Sequence, residues 1–500
     1  MYKNIFANLA GRIWGLLSVF IFIPLYIRFL GIDLYGLISF FATMQGILFL
    51  LDAGLSATLR REFSAGQNDY ENKKRKYKLL RSVEFCYMMI ILLIAAGTFF
   101  GAEPIVTNWL NLGNIDTNLA ITTIRLMGVS IALQFLSTLY FGCLLGLEKQ
   151  VIANIYQIAW SVLKNGCVIF VLWLIAPDVR LFYLWFIFID LLYLIALRTA
   201  VTGMLTKHGV FRWKFNELGN LKNIWKYAAG IFAISIISAL NVQLDKLVLS
   251  KLLPVAELGI YNMAFSLSQI PLIIVNAASI TIFSRFVYYF SVNETEKQRE
   301  LFLLASKLLG LISISIAVTM SFYTKELFML WINDPGIAGK AWLPAAILTV
   351  GTMFMTLQII PFNLVLSHGD TKINTILCFL NLLILAPLLL ILAPKHGITG
   401  AAAAWLFMLL VSTPFYNNFI YRKFIGKRYL QWFVKDTLLP LLFILTVSFG
   451  LYMIGNLIGV RPGVRIIYAV LSGVLVLAVS NLLFVKNIYS QLKYIKTEFI

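Results

Sequence analysis

Charged residues are scarce in this sequence, and acidic residues are the scarcest of them. Only 13% of the 500 residues are charged, with 22 Asp and Glu against 41 Lys and Arg, whereas 60% are hydrophobic. Soluble globular domains contain about 25% charged and roughly 45–50% apolar residues. The composition therefore excludes an ordinary soluble domain and predicts a protein embedded in a membrane.

Cysteine and histidine are also rare, and neither is arranged as a metal site. The four cysteines show no CxxC spacing and all fall within apolar segments, so neither a zinc site nor a disulfide framework is predicted. The three histidines lie outside the long apolar runs. The sequence also has no GxxxxGK(S/T) phosphate-binding loop. We therefore expect no metal, no cofactor and no ATP hydrolysis by this chain.

Long apolar runs fill most of the chain. Each is about 20 residues long, which is enough for a helix to cross a hydrocarbon layer of roughly 30 Å. We predict an all-α integral membrane protein with about 14 transmembrane helices. The predicted spans are 9–30, 36–58, 83–101, 119–146, 151–176, 181–202, 227–250, 258–285, 306–324, 343–366, 373–393, 399–421, 436–457 and 464–486.

The basic residues concentrate in three connections, at 60–81, 207–226 and 422–435. Even numbers of predicted spans separate these connections, so all three lie on the same face of the membrane. Loops rich in Lys and Arg stay in the cytoplasm, which predicts that both termini are cytoplasmic. The net charge of +19 is then mainly a signal of membrane orientation, and we expect no nucleic-acid partner.

The two halves of the chain resemble each other. An offset of 223 residues relates Arg28 to Lys251, Gly36 to Gly259, and Lys149 to Lys372. Six spans in each copy make the repeats parallel, as in transporters that open alternately to the two sides of the membrane. We predict an N-lobe at 1–205 (spans 1–6), a cytoplasmic linker at 206–226, a C-lobe at 227–421 (spans 7–12) and an additional helix pair at 436–486 (spans 13–14).

Several motifs connect the sequence to a known family. They are "FLGIDLYGLISF", "LLDAGLSATLRREF", "GLEKQVIANIYQIAWSVLKN", "LDKLVLSKLLPVAELGIYNMA" and "PKHGITGAAAAW". With these motifs the chain resembles the multidrug/oligosaccharidyl-lipid/polysaccharide exporter superfamily, and within it the polysaccharide transporter branch of O-antigen-type flippases. The segment "AGRIWG" also resembles the first span of lipid II flippases, where an arginine faces the central cavity, and this likeness points to Arg12.

The resemblance implies a function. Such proteins move a polyprenyl-diphosphate-linked oligosaccharide from the cytoplasmic to the outer leaflet of the bacterial plasma (inner) membrane by alternating access, for surface polysaccharide biosynthesis. The expected partners are this lipid-linked glycan and the lipid bilayer. A coupling ion, H⁺ or Na⁺, is a further expected partner, and the sequence leaves its identity open.

Arginines near the cytoplasmic ends of the predicted spans are candidates for binding the diphosphate. Arg12, Arg60 and Arg285 are expected at one depth, and Arg61 follows Arg60. Guanidinium groups bind phosphate through two hydrogen bonds and remain charged. The same residues could instead be ordinary cytoplasmic anchors of the helices. Asp52 would orient one of these arginines, help to release the anion, or cap the turn at Gly54.

Three more charged residues lie deeper in the apolar segments. Lys164 and Asp190 are predicted at similar depths in spans five and six, where they could form a buried pair, line a cavity, or do both. Later in the repeat the offset is 217 residues, as between Pro177 and Pro394, and it relates Lys164 to Asn381. This charge is therefore confined to the N-lobe, as suits a proton or substrate site. Asp245, in span seven, completes the candidate substrate-binding residues.

Two other functions stay open at this point. A multidrug/cation antiporter of the same superfamily would favour an acidic, aromatic cavity, and Asp52, Asp190 and Asp245 keep that alternative in view. A membrane-embedded polysaccharide polymerase or ligase would use a long outer loop with catalytic arginines or a histidine. The outer connections of this chain are short and contain few such residues, so we expect a transporter and not an enzyme.

Overall fold

The fold consists of long helices, which a computed structural model describes over residues 2–52, 55–64, 70–206, 237, 240–426, 430, 433–459 and 462–484. Within these residues there is no β-strand, and one isolated bridge joins Asn111 to Pro254. The chain divides into a first compact unit, residues 1–259, and a second, residues 260–500. Most of the predicted linker lies outside the described residues, so the division into lobes at 1–205 and 227–421 stays a prediction.

In the described part of the first unit, seven helices lie before residue 207. They are α1 (Tyr2–Leu48), α2 (Leu55–Ser64), α3 (Tyr70–Pro104), α4 (Thr117–Gly146), α5 (Gln150–Ser161), α6 (Cys167–Leu174) and α7 (Val179–Thr206). A 3₁₀ turn at Phe49–Asp52 follows α1, and π-helical turns lie at Ile105–Trp109 and Val162–Gly166. Residues 240–252 are also helical, and α8 (Val255–Ser268) begins in this unit.

The second unit contains the remaining helices. They are α9 (Ile270–Ser291), α10 (Thr295–Phe322), α11 (Thr324–Ile332), α12 (Pro335–Ser367), α13 (Lys372–Ile420), α14 (Leu439–Leu457) and α15 (Pro462–Phe484). Two π-helical turns lie between α13 and α14, at Tyr421–Ile425 and Phe433–Leu438.

The all-α membrane fold is confirmed. Eleven helical segments in the described residues are long and apolar enough to cross a membrane. Lys372–Ile425 contains two predicted spans and Phe20–Leu48 overlaps two. In each case the helix continues through a change of direction, at Gly397 in α13 and at Gly31 in α1, both with positive φ. Glycine has no Cβ and adopts this backbone conformation without a steric penalty. The predicted span at 227–250 lies mostly outside the described residues.

The second predicted span is shorter than expected. The sequence predicts one helix over 36–58, but α1 ends at Leu48, a 3₁₀ turn reaches Asp52, and α2 begins only at Leu55. The apolar run continues past Leu48, and hydropathy alone therefore does not reveal this break.

Helices α1 and α8 approach each other closely at Gly36. A Cβ atom on Gly36 would lie 2.1 Å from the carbonyl oxygen of Val255, and one on Gly259 would lie 3.2 Å from the Cα of Gly36. Small residues allow membrane helices to come this close, and van der Waals contact between the backbones then stabilises the crossing. Gly36 and Gly259 are also the pair that the repeat offset relates.

In the second unit, the additional helices α14 and α15 pack against α10. An apolar cluster joins Leu311 and Ile314 of α10 to Ile444 and Val476. Two hydroxyl pairs reinforce this packing: Ser315 with Ser480 at 3.3 Å, and Thr319 with Ser448 at 3.2 Å. Apolar burial supplies little driving force between helices in lipid, so close packing and interhelical hydrogen bonds hold such pairs.

Candidate functional site

A buried ion pair lies at the centre of the candidate site. The Nζ atom of Lys164 is 3.0 Å from each carboxylate oxygen of Asp190. Lys164 is 3% exposed and Asp190 is fully buried. Placing either charge alone in such surroundings would cost several kcal/mol, so the two groups stabilise each other. The structure therefore brings together the two deep charges that the sequence placed at similar depths.

The local helix geometry positions Lys164. It lies in the π-helical turn Val162–Gly166, between α5 and α6. A π turn carries one more residue than an α turn and is often found at functional sites. Asn165 and Gly166 are weak helix formers, and the widened turn falls at these residues. Asp190 lies near the middle of the regular helix α7.

Neutral donors complete the environment of the carboxylate. Trp160 Nε1 donates to Oδ1 of Asp190 at 2.8 Å. Ser130 Oγ donates to Oδ2 at 2.6 Å, and Gln134 Nε2 donates to the same oxygen at 3.0 Å. These donors come from α4 and α5. The carboxylate thus has several hydrogen-bond donors besides Lys164, as a buried charge requires.

Aromatic rings surround the ammonium group. Lys164 Nζ lies 4.4 Å from the ring centroid of Phe186, 5.0 Å from that of Trp160 and 6.0 Å from that of Phe41. Cation–π attraction adds to the stabilisation of a desolvated ammonium. Lys164 is therefore held by one carboxylate and three rings.

A cavity of about 420 Å³ adjoins the pair within the first unit. Its polar lining includes the amides Gln45, Gln134, Gln157 and Asn165. The Gln45 side chain donates to Oε1 of Gln134, which links the cavity to the shell around Asp190. The aromatic lining includes Trp14, Phe41, Trp160 and Phe186. This mixture of a few polar groups with aromatic walls is typical of sites for small organic ligands.

Asp52 has a different environment. Its carboxylate is half-buried and accepts hydrogen bonds from Ser56 Oγ at 2.6 Å and from the hydroxyl of Tyr87. Asp52 thereby connects the first turn of α2 to α3, and neither of these two partners is an arginine. Gly54 lies outside the described residues, so the three roles considered for Asp52 stay predictions.

The predicted arginines are only partly described. Arg60 is exposed on α2, and Arg285 is half-buried on α9. Arg12 and Arg61 lie in α1 and α2, and their side chains are outside what the structure describes. Arg60 belongs to the first unit and Arg285 to the second. A shared diphosphate site for these arginines stays a prediction.

Asp245 is buried together with its neighbour Lys246, at 1% and 6% exposure. Its Oδ1 atom accepts from the backbone N–H of Lys246 at 2.8 Å, and the Lys246 ammonium donates to the carbonyl of Val242 at 3.2 Å. Asp245 does not line the cavity beside Lys164. Its role in substrate binding likewise stays a prediction.

Sequence reasoning missed a further buried carboxylate, Glu84. Its Oε1 atom accepts from the Tyr140 hydroxyl at 2.7 Å and lies 3.1 Å from a guanidinium nitrogen of Arg198. Its Oε2 atom accepts from Arg81 at 2.8 Å. Glu84 lies close to the basic connection 60–81, where a charge looks ordinary. Its partner Tyr140 lies on α4, 56 residues further along the chain, and nothing in the sequence around Glu84 indicates this contact.

Two comparisons of the sequence point to one group of proteins. Residues 1–290 match the model of a family described as polysaccharide biosynthesis protein. A Shigella flexneri protein named "Putative O-antigen transporter" is 22% identical over 408 residues, which cover 81% of this chain and 93% of that protein.

Solved structures share the fold. A lipid II flippase, MurJ, in an inward closed conformation aligns over 97% of this chain and 99% of its own, with a TM-score of 0.73 and 17% identity. A multidrug resistance MATE family transporter of the MOP superfamily, in an inward-facing conformation, aligns over 85% and 95% of the two chains, with a TM-score of 0.65 and 11% identity.

Proposed function

Because this chain belongs to the polysaccharide biosynthesis protein family, we propose that it is a flippase for a polyprenyl-diphosphate-linked oligosaccharide. It moves the headgroup from the cytoplasmic to the outer leaflet of the bacterial plasma membrane, and it works as a transporter and not as an enzyme. The name of the Shigella flexneri relative and the fold shared with a lipid II flippase support this proposal.

One observation in the structure carries the proposal. A cavity lined by four amides and several aromatic rings lies inside the first unit, between apolar helices long enough to span the membrane. Sugar hydroxyls and phosphates lose their hydrogen bonds to water in hydrocarbon, at a cost of several kcal/mol for each unsatisfied group. Amides in the cavity lining replace part of the hydrogen bonds that the sugar hydroxyls lose. A lipid-linked glycan needs such a route, because its polyprenyl chain can stay in lipid while its headgroup crosses.

We assign the diphosphate to the cytoplasmic arginines. Arg60 is exposed and Arg285 is half-buried, so both can approach an anionic headgroup. Arg12 and Arg61 belong to the same proposed set through their positions in the sequence. Transport proceeds by alternating access and is driven by a gradient, either of the substrate itself or of H⁺ or Na⁺.

The environment of Asp190 argues against a cation antiporter. A cationic drug would need an uncompensated carboxylate in its cavity. Asp190 already has Lys164 as its countercharge and accepts three further hydrogen bonds. Asp190, the carboxylate of the first unit that best suited a cation antiporter, is therefore neutralised.

A reconstituted assay tests the function directly. Purified protein is placed in vesicles with undecaprenyl diphosphate that carries a fluorescent oligosaccharide. A membrane-impermeant reductant then bleaches the fluorophore in the exposed leaflet only. We expect nearly complete bleaching with the protein and about half in protein-free vesicles, since the lipid starts in both leaflets.

Two results would contradict the proposal. One is equal bleaching with and without protein. The other is export of cationic dyes from vesicles without any movement of the glycolipid, which would favour the antiporter.

A further inference from the structure

The cavity beside Lys164 is close to neutral. Lys164 is the one charged residue in its lining among the side chains that the structure describes, and Asp190 lies directly behind it. A diphosphate entering this cavity would lose its hydration without meeting a free countercharge. Such a transfer is strongly unfavourable.

The cavity instead offers neutral hydrogen-bonding groups. Gln157 lines it, is exposed, and makes no hydrogen bond with any residue in the described part of the chain. Nε1 of Trp14, also in the lining, is buried and has no hydrogen-bond partner among the described residues. A buried N–H without a partner costs free energy, which a ligand oxygen near it would recover. Gln157 can therefore bind an uncharged polar ligand directly, and Trp14 can do so once a small rotation of its side chain brings Nε1 to the cavity surface.

The volume and walls of the cavity fit the same ligand. About 420 Å³ lies within the range of roughly 300–1,000 Å³ that is usual for small-molecule sites. Phe41, Trp160 and Phe186 form apolar walls beside the amides. A pyranose ring has the matching surface, with hydroxyl groups at its rim and C–H groups on its faces.

We propose that this cavity is a sugar subsite, which binds an uncharged pyranose of the glycan headgroup and excludes the diphosphate. Gln157 and Trp14 are its binding residues. The Lys164–Asp190 ion pair fixes the side chains around it, and the carboxylate cancels the charge of the Lys164 ammonium in the cavity lining. This inference rests on the proposed function and extends it, because it divides the headgroup between a neutral sugar subsite and a separate anion site.

Equilibrium binding in detergent tests the division. The probes are undecaprenyl diphosphate linked to a disaccharide, and undecaprenyl diphosphate without sugar. Gln157→Ala and Trp14→Phe each remove one hydrogen-bonding group from the cavity. We expect each variant to weaken binding of the glycosylated probe about fivefold, the effect of one hydrogen bond, and to leave binding of the bare probe unchanged.

Each variant has a matched control. Gln150→Ala removes an amide two turns earlier on α5, outside the lining, and Trp173→Phe removes a surface indole that is 68% exposed and also outside the lining. Both controls should bind both probes as the wild type does. Thermal unfolding of all four variants verifies that the helices remain packed.

The outcomes separate this inference from the function on which it rests. Equal losses for both probes would overturn the sugar subsite, because the cavity would then hold the diphosphate. No loss for either probe in either variant would overturn it as well. A wild-type protein that neither binds nor moves the glycosylated probe would overturn the proposed function and the subsite together.

Discussion

The ammonium of Lys164 is bonded to both carboxylate oxygens of Asp190, at 3.0 Å each, across the packed helices of the first unit. The two residues are 26 positions apart, one on a π turn and the other on α7. An ion pair this deeply buried does not necessarily add stability compared with apolar residues of similar size. Loss of one partner, however, leaves the other charged and uncompensated.

Asp190→Asn should therefore destabilise the protein by about 3–5 kcal/mol, since Lys164 would remain buried without its countercharge. The double variant Asp190→Asn/Lys164→Met should recover part of this loss, because no ammonium then remains buried without a countercharge. Asparagine also retains an oxygen that accepts from the surrounding donors. The measurement is the free energy of unfolding in detergent or bicelles. A double variant that is no more stable than Asp190→Asn would show that the charges do not stabilise each other.

The close crossing at Gly36 gives a prediction about packing. Gly36→Ala would bring a methyl group against the backbone of Val255, which cannot move aside as a side chain can. We expect a loss of roughly 1–3 kcal/mol or more in the free energy of unfolding.

Gly97→Ala is the matched control, because a Cβ at Gly97 would meet nothing within 4 Å. This substitution should be neutral, or should stabilise α3 by at most about 1 kcal/mol. If Gly36→Ala and Gly97→Ala change the unfolding temperature equally, helix propensity and not the close approach of the two backbones determines the effect.

The hydrogen bond between Tyr140 and Glu84 gives a prediction about a residue pair that sequence reasoning missed. Tyr140→Phe removes a buried donor at 2.7 Å from a carboxylate, so it should cost about 1.5–3 kcal/mol. Tyr183 is also fully buried, but its hydroxyl has no hydrogen-bond partner among the described residues. Tyr183→Phe should consequently be neutral or slightly stabilising. If Tyr140→Phe and Tyr183→Phe change the thermal unfolding equally, the hydrogen bond between Tyr140 and Glu84 is contradicted.

The proposed anion site predicts a loss of transport without a loss of stability. Arg60→Gln and Arg285→Gln each remove a guanidinium group that is not deeply buried. If these groups bind the diphosphate, each substitution should lower the initial rate of glycolipid movement about tenfold, as loss of a charge-assisted hydrogen bond implies.

Arg125→Gln serves as the control for these two variants. Arg125 lies over the Phe99 ring at 4.6 Å and donates to the Phe99 carbonyl, near the end of α4 that is predicted to face outward. This variant should transport normally. Normal transport by Arg60→Gln and Arg285→Gln would show that these arginines only anchor their helices.

The membrane fold could be predicted in some detail because hydropathy is a local property of the chain. Runs of apolar residues predicted the helices, and the eleven apolar segments found account for all predicted spans except the one mostly outside the described residues. The breaks were harder to place. Gly31 falls between two predicted spans, whereas the turn at Phe49–Asp52 interrupts an apolar run and could not be seen in the pattern.

The candidate site was predictable only in part. Charges in apolar segments are rare, so Lys164 and Asp190 were noticeable in the sequence. Their neutral partners, Ser130, Gln134 and Trp160, were not, because such residues are common in membrane helices. The contact of Asp52 with Tyr87 and that of Glu84 with Tyr140 also depend on residues that are distant in the sequence.

The sequence by itself determined that this is a multi-pass helical membrane protein, and its motifs pointed to polysaccharide biosynthesis, in agreement with the family whose model the chain matches. It did so because the length and hydropathy of a segment control its insertion into lipid, whatever its neighbours. Tertiary structure alone decided which deep charges are compensated and which amides face a cavity. Those outcomes depend on the rotation and depth of each helix, and a single π turn at Val162–Gly166 changes both.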